Sequence, residues 1–151
     1  MKTTFSRSTI REIAFQVLFS MTFNSTNDYA RTLTLVWREL NGDEELLQEE
    51  AMNGRSDLKY LKTLIEKTIE HTDELDQLIE ANSLNWKINR LLKVDRTILR
   101  LALSELKFID RTEVKDKAPD KVIVDEAIEL AKKFSDEKST QFINGVLANF
   151  I

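Results

Sequence analysis

The sequence predicts an all-α protein, on three observations. Gly and Pro are scarce, at three and one in 151 residues, so few positions favour tight turns. Leu, Ile, Glu and Lys are abundant, and these suit helices. Apolar residues recur at i, i+3, i+4 spacing through most of the chain. The hydrophobic fraction of 42% supports a core, and the length fits one domain or two intimate subdomains.

The first helix is expected from about Ser6 to Phe23, with Ile10, Ile13, Ala14, Val17, Leu18 and Met21 inward and Ser6 or Ser8 as cap. The second spans about Asp28 to Leu40, burying Leu33, Val36, Trp37 and Leu40. "NGDEELLQEEAMNGRS" holds two glycines and a dense acidic run, and reads as a loop with at most a short helix. A third helix starts near Ser56–Asp57 with Leu58, Leu61, Ile65 and Ile69 inward, and breaks near His71. A short helix, Asp73 to Ala81, follows and leaves His71 near a helix C-terminus in a structural role.

The longest apolar pattern is Ile88, Leu91, Leu92, Ile98, Leu99, Ala102, Leu103 and Leu106. Asp95 falls on this apolar face. It is either the N-cap of a helix running to about Phe108 or a functional carboxylate near a seam. "DRTEVKDKAPD" is a loop. The next helix covers about Asp120 to Phe134; Val122–Val124 is β-branched, but a lone strand has no partner. The last helix is "STQFINGVLANF", Ser139 to Phe150. Gly145 within it costs about 1 kcal/mol relative to Ala, which suggests a close approach by another backbone. The sum is six or seven helices, divided near residue 72 into halves of about 1–72 and 73–151.

Composition also excludes chemistry. There is no Cys, so disulfides, thiolate sites and Cys nucleophiles are absent. A single His rules out a multi-histidine metal site. No Walker A, GxGxxG or HExxH motif occurs, and no preorganised reaction site is evident, so neither an enzyme nor a cofactor is expected. No apolar run of membrane-spanning or signal-peptide length appears; the chain reads as soluble and cytoplasmic.

The net charge of −4 hides an asymmetry. Glu39 to Glu80 carries 13 acidic and 4 basic residues, whereas Trp86 to Arg111 carries 7 basic and 3 acidic. Such segregation marks either a polyanion-binding face or ordinary solvated helix faces.

Three motifs carry a family resemblance: "REIAFQVLFSM" (Arg11 to Met21), "DRTILRLALSEL" (Asp95 to Leu106) and "KVIVDEAIELAKKFSDEKSTQFINGVLANF" (Lys121 to Phe150). In this order the chain resembles the bacterial transcription antitermination protein NusB family, weakest from Asn24 to Ser56. The resemblance implies two three-helix subdomains and a non-enzymatic factor. Such a factor binds boxA RNA of ribosomal-RNA leader transcripts together with the ribosomal protein NusE, inside the elongation complex with other Nus factors. Some members self-associate, so a homodimer is a further expectation. By position, the implied RNA surface is Lys2, Arg7, Arg11, Arg96, Arg100, Lys138, Gln141 and Phe142. Cations would neutralise phosphates, and Phe142 would either stack an unpaired base or sit in the core. Phe19, with Asp95 nearby, is the implied NusE contact. This chain departs from the family in an arginine-poor N-terminus, in Phe19 where Tyr is common, and in Lys138 where an acid is often found. The alternative is a helical protein–protein adaptor with little RNA binding of its own.

Overall fold

The computed structural model describes residues 4–24, 28–40, 42–84 and 86–151. Among these are eight α-helices and three short 3-10 turns, with no strand. The chain divides into two compact units, Met1–Glu66 and Lys67–Ile151.

In the first unit, α1 (Arg7–Met21) is capped by Ser6, whose Oγ accepts the Thr9 N–H at 3.1 Å. The expected stripe is buried from Ile10 to Leu18, and Phe15 joins it, whereas Met21 at the end of the helix is only half-buried. α2 (Tyr29–Glu39) packs on α1 and buries Leu33, Val36 and Trp37, while Leu40 is exposed beyond its end. The Trp37 ring is 1% exposed, and its Nε1–H donates to the Asp43 carbonyl at 3.0 Å. Gly42 passes so close to this ring that any Cβ there would collide with it. The acidic segment holds the short helix that the sequence reading allowed, with a 3-10 turn before it. A 3-10 turn (Glu44–Leu47) leads to α3 (Glu49–Asn53), where Glu49 and Glu50 complement the positive helix N-terminus. α4 (Ser56–Glu70) follows, with Leu58, Leu61, Leu64 and Ile65 fully buried. Asp57 in its first turn accepts from the N–H groups of Phe5 and Leu58, each at 2.8 Å, and from Arg55. Burial raises the Asp57 pKa, but these donors outweigh it and hold the carboxyl below its ordinary value.

The second unit is built around α6 (Lys93–Phe108), against which α5 (Thr72–Ala81), α7 (Asp120–Phe134) and α8 (Glu137–Leu147) pack. Leu75, Ile79, Ile98, Leu99, Leu103, Ala131, Ile143 and Leu147 form its core. His71 precedes α5, as the predicted break requires. Its ring stacks on Phe108 at 3.8 Å between centroids, and Nδ1 lies 3.1 Å from Glu74. Residues 122–124 are helical, so the strand alternative falls away.

The apolar run Ile88–Leu92 lies ahead of α6, as a start near Asp95 implies, with a 3-10 turn at Ile88–Arg90. Leu91 and Leu92 have extended backbones (ψ 148 and 142), and Leu92 is 58% exposed. Two expectations need correction here. Asp95 is not an N-cap: Leu92 holds that position, and Asp95 lies inside the first turn. Gly145 admits no close neighbour, since a Cβ built there meets nothing within 4 Å. The backbone-contact explanation for this glycine therefore fails, and only its helix cost remains. Gly145→Ala is expected to raise stability by about 0.5–1 kcal/mol, read as a higher urea midpoint with an unchanged slope.

Candidate nucleic-acid interface

Two helix N-termini meet at one carboxylate in the second unit. Asp95, in the first turn of α6, accepts the Ser139 hydroxyl at 2.9 Å and the Ser135 hydroxyl at 3.3 Å. Ser135 follows α7, and Ser139 lies in the first turn of α8. One carboxylate thus ties three helices at a seam. Asp136 caps α8 separately, its Oδ1 accepting the Ser139 N–H at 2.8 Å. That bond keeps the Asp136 carboxyl below its ordinary range. Asp95 behaves oppositely. Burial pushes its carboxyl upward, the two serine hydroxyls only partly offset this, and the charge of Asp136 adds to the rise. With Asp95 only 6% exposed, its oxygens serve the fold's interior.

Around this junction lie the implied RNA-facing side chains. Lys138 and Gln141 are exposed on the first turns of α8, and Phe142 is half-buried. Arg96 follows Asp95 and is half-buried, with its Nε enclosed and lacking a hydrogen-bond acceptor. Burial and the neighbouring Arg100 lower its pKa, and Asp76 compensates only in part. An under-compensated guanidinium of this kind favours an incoming anion. Arg100 is different. Its Nε and Nη2 engage Asp76 at 2.7 and 2.8 Å, a two-pronged ion pair. A phosphate would have to compete with that carboxylate.

On the first unit, Arg7 lies over the Tyr60 ring, 3.6 Å from its centroid. Arg11 is 3% exposed and already engaged, which runs against its expected place on an open RNA surface. It points to the side of α1 that also buries Ile10 and Ala14, because residues one and three apart there share the inward arc. Lys2 lies outside the described residues. Phe19 is half-buried. It stacks on Phe15 at 5.6 Å and meets Phe23 edge-on at 5.2 Å. Phe23, 62% exposed, was not singled out from the sequence, although the i, i+4, i+8 spacing of three Phe residues was a usable signal. Ser135, Ser139 and Asp76 were also missed. The partners of Asp95 lie 40 and 44 residues away, beyond any local pattern.

No helix among the described residues is long and apolar enough to cross a membrane. The NusB family model matches residues 8–151. The transcription antitermination protein NusB of Clostridium botulinum is 41% identical over 150 residues, spanning 97% of this chain and 99% of that protein. Among solved structures, the antitermination factors NusB and NusE in complex with dsRNA align at 30% identity and a TM-score of 0.73, covering 95% of this chain and 93% of that one. T. maritima NusB aligns at 30% identity and a TM-score of 0.76, covering 97% and 91%.

Proposed function

This chain belongs to the NusB family of transcription antitermination factors, which are not enzymes, and on that premise we propose that it binds boxA RNA of ribosomal-RNA leaders together with NusE. The observation that carries the RNA reading is Arg96: a half-buried guanidinium whose charge Asp76 only partly compensates, next in sequence to the Asp95 that joins the starts of α6 and α8. Helix N-termini and an under-compensated cation both favour phosphate. Lys138 adds charge, Gln141 an amide suited to base edges, and Phe142 an aromatic face. Arg7 contributes from the first unit, and Lys2 and Arg11 complete the proposed basic set there, Arg11 only if its side chain turns outward. Arg100 contributes positive potential while held by Asp76.

Phe19 supplies the proposed NusE contact, and Asp95 supports partner binding from inside, by holding α8. The related complex of NusB and NusE with dsRNA supports both partners. The same reading puts the chain in the cytoplasm, within an elongation complex containing other Nus factors, and allows a homodimer.

The test is titration of labelled boxA RNA with and without NusE, across salt. Arg96→Glu is expected to weaken binding by about tenfold or more and to flatten the salt dependence by about one phosphate contact. A wild-type protein that binds no boxA RNA at low salt, with NusE present, would overturn the reading. The second reading, a protein adaptor with little RNA binding, draws on the engagement of Arg11 and Arg100. Full NusE binding with no RNA contribution to the ternary complex would select it.

A further inference from the structure

Beyond the α6–α8 junction, the second unit has a cleft of about 570 Å³ lined by Glu80, Asn82, Leu84, Trp86, Lys87 and Asn149. That volume is in the range of small-ligand sites. Its most unusual feature is Trp86, whose large ring is 52% exposed. The Trp86 backbone is nevertheless held at both its N–H and its carbonyl. The Trp86 N–H donates to the Ser83 carbonyl at 3.2 Å, and the buried Ser83 hydroxyl donates to the Trp86 carbonyl at 3.1 Å. Two residues on, the Ile88 N–H donates to the Glu80 carboxylate at 2.7 Å, so the chain is clamped on both sides of Trp86. Leu84, 89% exposed, adopts a left-handed backbone (φ 49) that a leucine rarely takes. Such strain needs surrounding structure to hold it and concentrates at sites that do work.

Charge decides what this platform suits. Lys87, Arg90, Lys93 and Arg96 recur every third residue from Trp86 into the first turn of α6. Lys87, Arg90 and Lys93 are exposed. The only acid between Trp86 and Arg96 is Asp95, and its carboxylate is buried. An exposed aromatic ring that the chain follows with closely spaced cations fits single-stranded nucleic acid: cations meet the phosphates and the ring stacks a base. A protein partner recognising Leu84, Trp86 and Leu92 would have to match this same density of positive charge.

We propose that the Trp86 ring stacks an unpaired nucleotide flanking the RNA element held at the α6–α8 junction, with Lys87 and Arg90 neutralising its phosphates. This rests on the RNA-binding reading above. The test uses the full chain with NusE and two labelled probes: boxA RNA alone, and boxA RNA extended by a single-stranded flank at either end. Trp86→Ala is expected to weaken binding of an extended probe roughly 5- to 150-fold, and of the short probe little. Trp86→Phe, which keeps an aromatic face, should retain most of the affinity. Tryptophan emission gives an independent readout. The extended RNA should quench wild-type emission but not that of Trp86→Phe, whose remaining Trp37 is 1% exposed. Wild-type binding to neither probe would count against the RNA reading itself. Tight binding of both probes by wild type and Trp86→Ala alike, without quenching, would overturn this proposal alone. So would a loss of NusE binding with RNA affinity intact, which would mark Trp86 as a protein contact.

Discussion

Asp95→Asn is expected to fold at least as stably as the wild type at neutral pH, and Asp95→Ala to lose about 1–3 kcal/mol. The reasoning starts from the raised pKa of this buried carboxyl. In acid, folded and unfolded chains are both protonated and nothing distinguishes them. As pH rises past about 4, the unfolded chain ionises first, so ionisation pulls against folding until Asp95 itself has lost its proton. Wild-type stability relative to Asp95→Asn should therefore fall as pH rises from about 4 and level off above the folded pKa. Asparagine removes the charge yet can still bond both serine hydroxyls, accepting one and donating to the other. Alanine leaves Ser135 and Ser139 without their acceptor and opens a void between helices. Chemical denaturation of the three proteins across pH checks this. A wild type that gains stability over Asp95→Asn with rising pH would refute it. RNA and NusE titrations extend the test, because loss of either partner in a stable Asp95→Asn would mean that the charge itself is read.

Trp37→Ala should be more damaging still, at about 3–5 kcal/mol, because a fully buried ring is deleted and a large void remains. The ring does more than fill space. It orphans the Asp43 carbonyl on removal and takes away the edge-on partner of Phe5, whose ring centre lies 5.4 Å away. Phe5 immediately precedes the Ser6 cap and Arg7. The variant should thus loosen the entry to α1 as well as lowering the denaturation midpoint of the first unit. Hydrogen exchange at the Phe5 amide, bonded to Asp57 at 2.8 Å, reports the first effect directly. A midpoint within about 1 kcal/mol of wild type would show that the site collapses without a void.

The helices were legible because their signals are local. The stripe on α1, the Ser6 cap, the break at His71 and the helix over Asp120–Phe134 all follow from spacing within a few residues. Where the reading slipped, distant atoms decided. Asp95 was correctly seen as out of place on an apolar face, but its serine partners are remote in sequence. Arg100 looked like a free cation until Asp76, 24 residues earlier, was placed beside it. Gly145 drew attention as the glycine inside a helix, whereas Gly42 is the one hemmed in, by a ring five residues before it. The site residues were reached through family likeness rather than through pattern. Burial then sorts them, leaving Lys138 and Gln141 exposed, Arg96 half-buried and Arg11 turned inward.

If the chain binds RNA as proposed, the Arg100–Asp76 pair also bears on how quickly that RNA arrives. It cancels part of the α6 charge at close range, on a chain whose overall charge is −4. At physiological salt the remaining positive field fades within about 8 Å. A polyanion approaching from farther away meets little attraction, so encounter should proceed at an unsteered pace, near 10⁵–10⁶ M⁻¹s⁻¹. Tight binding must then come from slow departure. Residence time, which the proposed contacts such as Arg96 would set, then becomes the quantity through which a partner protein has most room to act.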